Sequence, residues 1–239
     1  MNPKLSIIIP CYNEALNLPL IIHRLGKILE NESNIEVILV NNGSTDESSK
    51  VLANELDKPS LSFIRIEHVA VNKGYGFGVM AGLRVARGEF VAWTHGDMQA
   101  DPADILKGLK KILSTKDPHR CFLMGRRVAR RPFDSFFTLG MSLFASAMLG
   151  FWMFDINAQP KVFSRRFLKK WDSPPDDFAF DAFVYFSARK LGMTILTQPV
   201  CFTNRRYGEA KGGGTLIGKW RIIKRTIYYI IRLRSELAK

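Results

Sequence analysis

Four short apolar, β-branched runs recur in the first half of the chain, at residues 4–9, 35–40, 61–66 and 90–93, with helical patterns between them. Strands alternating with helices predict an α/β fold with a parallel sheet and right-handed crossovers. In an open sheet of that kind, ligands bind outside the carboxyl ends of the strands. The polar residues that follow the runs are therefore the first candidates for chemistry: Pro10, Tyr12 and Glu14 after the first, Asn41 and Asn42 after the second, His95, Asp97 and Gln99 after the fourth.

The intervening segments fit helices. Leu16, Leu20, Ile22 or His23, and Leu25 recur at helical spacing, as do Val79, Leu83 and Ala86, and a further helix is expected over 180–191. Gly43 supplies a turn, and Ser44 or Thr45 can cap the next helix. The run Asn72-Lys73-Gly74-Tyr75-Gly76-Phe77-Gly78 lacks the Lys-Ser/Thr ending of a phosphate-binding loop and does not follow the first strand, so it reads first as a tight turn with close helix packing.

The segment 89–102 concentrates the metal-capable groups. Side chains alternate along an extended tip, so His95, Asp97 and Gln99 share one side, and carboxylate, amide oxygen and imidazole together suit Mg²⁺ or Mn²⁺. The competing reading is an ordinary loop in which Asp97 or Asp101 caps a helix begun at Pro102.

The succession Ile-Ile-Pro-Cys-Tyr-Asn-Glu14, Leu-Val-Asn-Asn-Gly-Ser44, Asn-Lys-Gly-Tyr-Gly76 and Gly-Asp-Met-Gln99 before Asp101-Pro102 resembles family-2 glycosyltransferases of the GT-A fold. It is most similar to the dolichyl-phosphate mannose synthase and polyprenyl-phosphate sugar synthase branch. Gly125-Arg-Arg127, the stretch from Asp155 to Phe163, and that from Asn204 to Lys211 extend the likeness over roughly residues 5–211. The resemblance implies a mostly parallel, Rossmann-like sheet flanked by helices. It implies nucleotide-sugar contacts from Pro10, Tyr12, Glu14, Asn41, Lys73, Asp97, Gln99 and Lys211. Metal contacts fall to Asp97, Gln99 and His95, and catalytic roles to Asp97, Arg127 and Arg205. Three positions depart from the family pattern: Asn41-Asn42 stand for Asp-Asp, His95 for an acidic residue, and Thr138-Leu-Gly140 for Ser-Arg-Gly.

The expected activity is an inverting transfer from a nucleotide sugar to a polyprenyl phosphate, undecaprenyl or dolichyl. Such an acceptor is already anionic near neutral pH. A saccharide hydroxyl acceptor, the alternative, needs a carboxylate base, for which Asp176, Asp177 and Asp181 are candidates. Those three also fit as acidic residues at a helix amino terminus.

Charge decides among partners. The 239 residues carry a formal +13, concentrated at 126–131, 161–170 and 205–239. Confinement to those stretches argues against nucleic-acid binding. No secretory leader is read, because the first apolar run ends at Pro10. Three scattered cysteines (Cys11, Cys121, Cys201) fit a reducing compartment, so a cytoplasmic chain, peripheral on the inner face of a membrane, is expected. Residues 136–154 hold no charge before Asp155 and read as an interfacial or core helix in preference to a span. Domain 1–211 is followed by a glycine hinge, Gly212-Gly-Gly214, and a basic amphipathic helix. Leu216, Trp220, Ile223, Ile227, Ile230, Leu233 and Leu237 form its apolar stripe, and Lys219, Arg221, Lys224, Arg225, Arg232 and Arg234 its basic side. That stripe suits a membrane surface, or packing on the domain or on a second copy in a homo-oligomer.

Overall fold

The computed structural model describes residues 2–128, 132–208 and 216–237. Lys211 and the glycines 212–214 lie outside them. Seven strands form one sheet in the order β3-β2-β1-β4-β6-β5-β7. They are β1 (Leu5–Cys11), β2 (Ile35–Asn42), β3 (Ile64–Val69), β4 (Phe90–Trp93), β5 (Cys121–Val128), β6 (Lys161–Ser164) and β7 (Thr194–Cys201). All neighbours run parallel except β6, which is antiparallel to both β4 and β5. The helices are α1 (Leu18–Leu29), α2 (Ser48–Glu55), α3 (Tyr75–Val85), α4 (Ala103–Leu113), α5 (Pro132–Leu149), α6 (Phe180–Lys190) and α7 (Leu216–Leu237).

The central strands β1, β2 and β4 are buried and mostly apolar because both faces of the sheet are covered there. Ile8, Ile38, Val40, Val91 and Trp93 point into a core shared with α3, α5, α6 and α7. Their neighbours Ile7, Ile9, Val37, Leu39, Phe90 and Ala92 point the other way, onto α1 and α4. Two boundaries differ from the sequence expectation for local reasons. Pro59 opens a 3₁₀ turn, Pro59–Leu61, that delays β3 to Ile64. Pro19 sits in the first turn of α1, so the helix starts at Leu18 and buries Leu18, Ile21, Ile22, Leu25 and Leu29, leaving Leu16 and His23 exposed.

At the amino-terminal end of the sheet, Glu36 is buried in β2. It accepts hydrogen bonds from Ser6 Oγ (2.6 Å), Arg87 N–H (2.7 Å) and Arg65 Nε (3.2 Å). Burial pushes its carboxyl up, and those donors more than reverse this, so its pKa falls below the ordinary 4.5. A depressed carboxylate contributes stability above its unfolded pKa and loses it as pH falls through the folded one. Glu36→Gln should therefore melt below the native chain at neutral pH, with the gap closing under acid below about pH 4; thermal melts across pH check this.

Helix α7 packs on α5: Arg234 Nη1 donates to Met148 O at 3.2 Å, and Thr226, Ile230 and Leu233 are buried. The middle of the apolar stripe is thus used inside the protein. Among the described residues, no helix is long and apolar enough to cross a membrane.

Candidate active site at the carboxyl ends of the strands

The loops after β1 and β2 are laced together. Asn13, at φ 53°, donates its N–H to Ser44 Oγ (3.1 Å) and accepts from Thr45 N–H (2.8 Å). Glu14 N–H reaches Ser48 Oγ at 3.0 Å, and Ala15 N–H reaches Asp46 at 3.2 Å. Asn41 is consumed within this lacing, donating to Ser49 Oγ at 2.7 Å and accepting from Ser44 N–H at 3.2 Å. Asn42 donates to Gly74 O at 3.0 Å, while its buried Oδ1 has no partner among the described residues. The glycine run serves close packing: a Cβ on Gly74, itself at φ 128°, would lie 2.4 Å from Asp176 O, and one on Gly76 2.3 Å from Pro175 O.

Three charged side chains from distant parts of the chain meet at this edge. Arg205, in the segment after β7, is ion-paired to Glu14 through one Nη and lies 3.4 Å from Asp97 Oδ2 through the other, while its Nε donates to Tyr207 O at 2.7 Å. Asn17 donates to Glu14 at 2.6 Å and to Tyr207 O at 3.1 Å, which fixes the far side of the pair. Glu14 and Asp97 are buried, at 8% and 9% exposure. Burial, with the charges of Glu14 and Asp97, pushes the Cys11 thiol well above its ordinary range, so it stays protonated beneath them.

The tip after β4 holds its shape through its own bonds. Met98 takes φ 60°, Gln99 N–H donates to Asp97 Oδ1 at 3.1 Å, and Gln99 Nε2 donates to Thr203 O at 3.2 Å. Thr203 N–H returns a bond to Gln99 O at 2.9 Å, tying this tip to the segment that carries Arg205. Asp101 is the capping residue of the α4 start, accepting Ala103 N–H at 3.0 Å and holding Arg24 at 2.7 Å. Asp97 is left to the site. The His95 ring, half-buried, lies 5.7 Å from the ring of Tyr75. Among the described residues no three His, Cys, Asp or Glu side chains gather as a metal cage.

Behind His95 lies a buried polar network that the sequence reading missed. Lys161, fully buried, donates to Ile156 O (3.0 Å) and Ala158 O (3.1 Å) and pairs with Asp181 at 2.9 Å. Gln159 Nε2 donates to Asp181 at 3.2 Å and meets Tyr75 Oη at 3.1 Å. Burial pulls the Lys161 pKa down against the attraction of Asp181, and it lifts the Tyr75 phenol well above its usual value, helped by the charges of Asp181 and Asp97. In the sequence Lys161 opens the basic stretch at 161–170. It lies instead under the site, because the antiparallel β6 pairs it with Trp93 in the sheet interior.

The remaining candidates scatter. Arg127 is committed to Asp155, through its backbone N–H at 2.8 Å and Nε at 2.9 Å, and lies over Phe202. Lys73 is exposed over Phe77. Asp177 caps Ala179 N–H at 2.9 Å, Asp176 is exposed, and Asp181 is the buried partner of Lys161. Pro10 and Tyr12 are half-buried at the edge.

Comparisons with known proteins place the sequence and the fold among relatives. Over 149 residues the chain is 32% identical to an undecaprenyl-phosphate 4-deoxy-4-formamido-L-arabinose transferase of Photorhabdus laumondii, which covers 61% of this chain and 43% of that one. It is 25% identical to a dolichyl-phosphate beta-glucosyltransferase of Dictyostelium discoideum, covering 84% of this chain and 67% of that one. The chain thus spans only about half to two thirds of the length of these relatives. Its fold matches that of glucosyl-3-phosphoglycerate synthase from Mycobacterium tuberculosis, solved with Mn²⁺, UDP and glucosyl-3-phosphoglycerate, at a TM-score of 0.72 and 16% identity over 97% of this chain and 80% of that one. The sheet is that of the GT-A fold, and the model of glycosyl transferase family 2 matches residues 6–143, more than half of the sequence: the chain belongs to glycosyl transferase family 2.

Proposed function

We propose that this chain moves one sugar from a nucleotide-sugar donor to a polyprenyl phosphate, with inversion at the anomeric carbon and with Mg²⁺ or Mn²⁺ held at Asp97. The observation that carries the reading is the convergence of Glu14, Asp97 and Arg205 at the carboxyl edge of the sheet. Two carboxylates already grouped around a single cation are a donor set that fits a hard divalent ion. Asp97 would hold it, with His95 and Gln99 on the same tip, and the ion would neutralise charge on the departing diphosphate. Arg205 contributes a planar fork suited to phosphate oxygens and takes up part of the same charge. Tyr12, half-buried on the loop after β1, is the side chain at this edge available to the nucleoside.

An anionic acceptor is favoured over a sugar hydroxyl because two of the three candidate bases are engaged, Asp181 by Lys161 and Gln159 and Asp177 by Ala179 N–H, which leaves exposed Asp176. A lipid phosphate needs positioning more than proton removal. The two relatives quoted above bear names of polyprenyl-phosphate sugar transferases, which supports the same acceptor class.

Residues 1–211 are taken as the transferase unit, and 212–239 as a hinge and a basic helix at a membrane surface. Exposed aromatic and aliphatic side chains on α5 (Phe136, Leu139, Leu143) and α7 (Trp220, Tyr228, Ile231), beside exposed Lys224, Arg225, Arg232 and Arg234, support this assignment. Incubation with radiolabelled UDP, GDP and CDP sugars, Mn²⁺ or Mg²⁺, and undecaprenyl phosphate in anionic vesicles is the test. Label entering the lipid fraction is expected; label entering an oligosaccharide alone would establish the hydroxyl-acceptor alternative.

A further inference from the structure

Opposite the site just described, the molecule has a second cavity. It measures about 570 Å³ and is lined by Met80, Leu83, Arg84, Glu89, Arg165, Arg166, Leu168 and Lys169, a volume within the range of small-molecule sites. Its position follows from the register of β4 and β6. Phe90 pairs with Ser164 and Trp93 with Lys161, so Glu89 and residues 165–169 lie where β4 begins, whereas His95 and Asp97 lie where it ends. β4 is 4 residues long, which at about 3.3 Å each puts on the order of 13 Å between the two edges.

The charge in this cavity is unbalanced. Its one carboxylate, Glu89, is already taken by Lys4 at 2.8 Å and His119 at 3.3 Å from the other side. Facing it are Arg84, Arg165, Arg166 and Lys169, all exposed. Arg165 is steadied by Nε donating to Gly88 O at 2.7 Å, which leaves its terminal nitrogens for another acceptor. None of these four cations has a carboxylate within ion-pairing distance among the described residues. Met80 and Leu83 from α3, with Leu168, supply an apolar lining beside them. Unpaired guanidinium groups next to an apolar wall match a ligand with one phosphate and one hydrophobic group.

We propose that this cavity is a second ligand site, for a phosphate monoester carrying an apolar group, separate from the donor site. The ligand is either a soluble organic phosphate or the headgroup end of an anionic lipid. The inference does not rest on the transferase reading, since every residue in it lies at the other edge of the sheet.

Naphthyl phosphate is the probe, titrated by calorimetry into the full chain with inorganic phosphate and naphthol as controls. Binding at least about tenfold tighter than either control is expected, since only the probe satisfies both the cations and the apolar wall. The exposed double variant Arg166→Gln, Lys169→Gln should weaken it by about tenfold or more, with an unchanged circular dichroism spectrum and unchanged nucleotide binding. Displacement of the probe by phosphatidic acid vesicles assigns the site to a lipid headgroup, and retention assigns it to a soluble phosphate. Binding no tighter than inorganic phosphate, or unaltered in the double variant, overturns the proposal and leaves the donor reading where it stood.

Discussion

Asp97→Asn is expected to reduce sugar transfer about a thousandfold, the upper end of what loss of one preorganised transition-state contact costs, while leaving the melting temperature nearly unchanged. The amide has the same shape and can still accept Gln99 N–H at the Oδ1 position, so the tip after β4 keeps its geometry. What it loses is the negative charge that faces Arg205 and that a divalent ion requires. Initial rates with saturating donor measure the effect. A variant that kept most of its turnover would mean that the leaving diphosphate is stabilised elsewhere, and the assignment of this edge as the catalytic one would fail.

Lys161→Met should lower stability by about 3–5 kcal/mol at neutral pH, the usual cost of stripping one partner from a buried ion pair. Asp181 would then keep a buried charge with only Gln159 donating to it. Chemical denaturation reads the loss. The double variant Lys161→Met, Asp181→Leu should recover much of it, because an apolar pair removes the uncompensated charge. Gln159, which also meets Tyr75 Oη, loses its Asp181 acceptor in that double variant, so the variant's transfer activity reports separately whether the network orients the aromatic wall beside His95. If the single variant melts like the native chain, Lys161 is not the counter-ion of Asp181 in solution.

The half of the fold built from local repeats was legible in the sequence. β1, β2 and β4 announce themselves as β-branched runs, and the polar residues behind them fall at one edge because parallel strands place like ends together. Strand β6 was hidden. It has only 4 residues, its first is a lysine, and its antiparallel direction comes from a long excursion through α5 that no local pattern encodes. The same holds for the site. Asp97 was found from its position after an apolar strand, but the ion pair between Arg205 and Glu14 joins positions 191 residues apart. Arg127, named from the family resemblance, has a partner that no local pattern announces: Asp155, held at φ 49°, pairs with it. Of the expected apolar stripe on α7, Ile230 and Leu233 are buried, and only the packing against α5 determines which part of it faces inward.

Under the proposed reading, the guanidinium lodged between Glu14 and Asp97 also couples the metal to the donor. Two acids that share an internal counter-ion have little attraction left for a free ion in solution, so Mn²⁺ alone should bind weakly. A nucleoside diphosphate would offer Arg205 a substitute anion, and each of the two guests would then make room for the other, a coupling that must be equal in both directions. Scarcity of either one would leave both acids on Arg205, with one negative charge over and a weakened pull on stray cations.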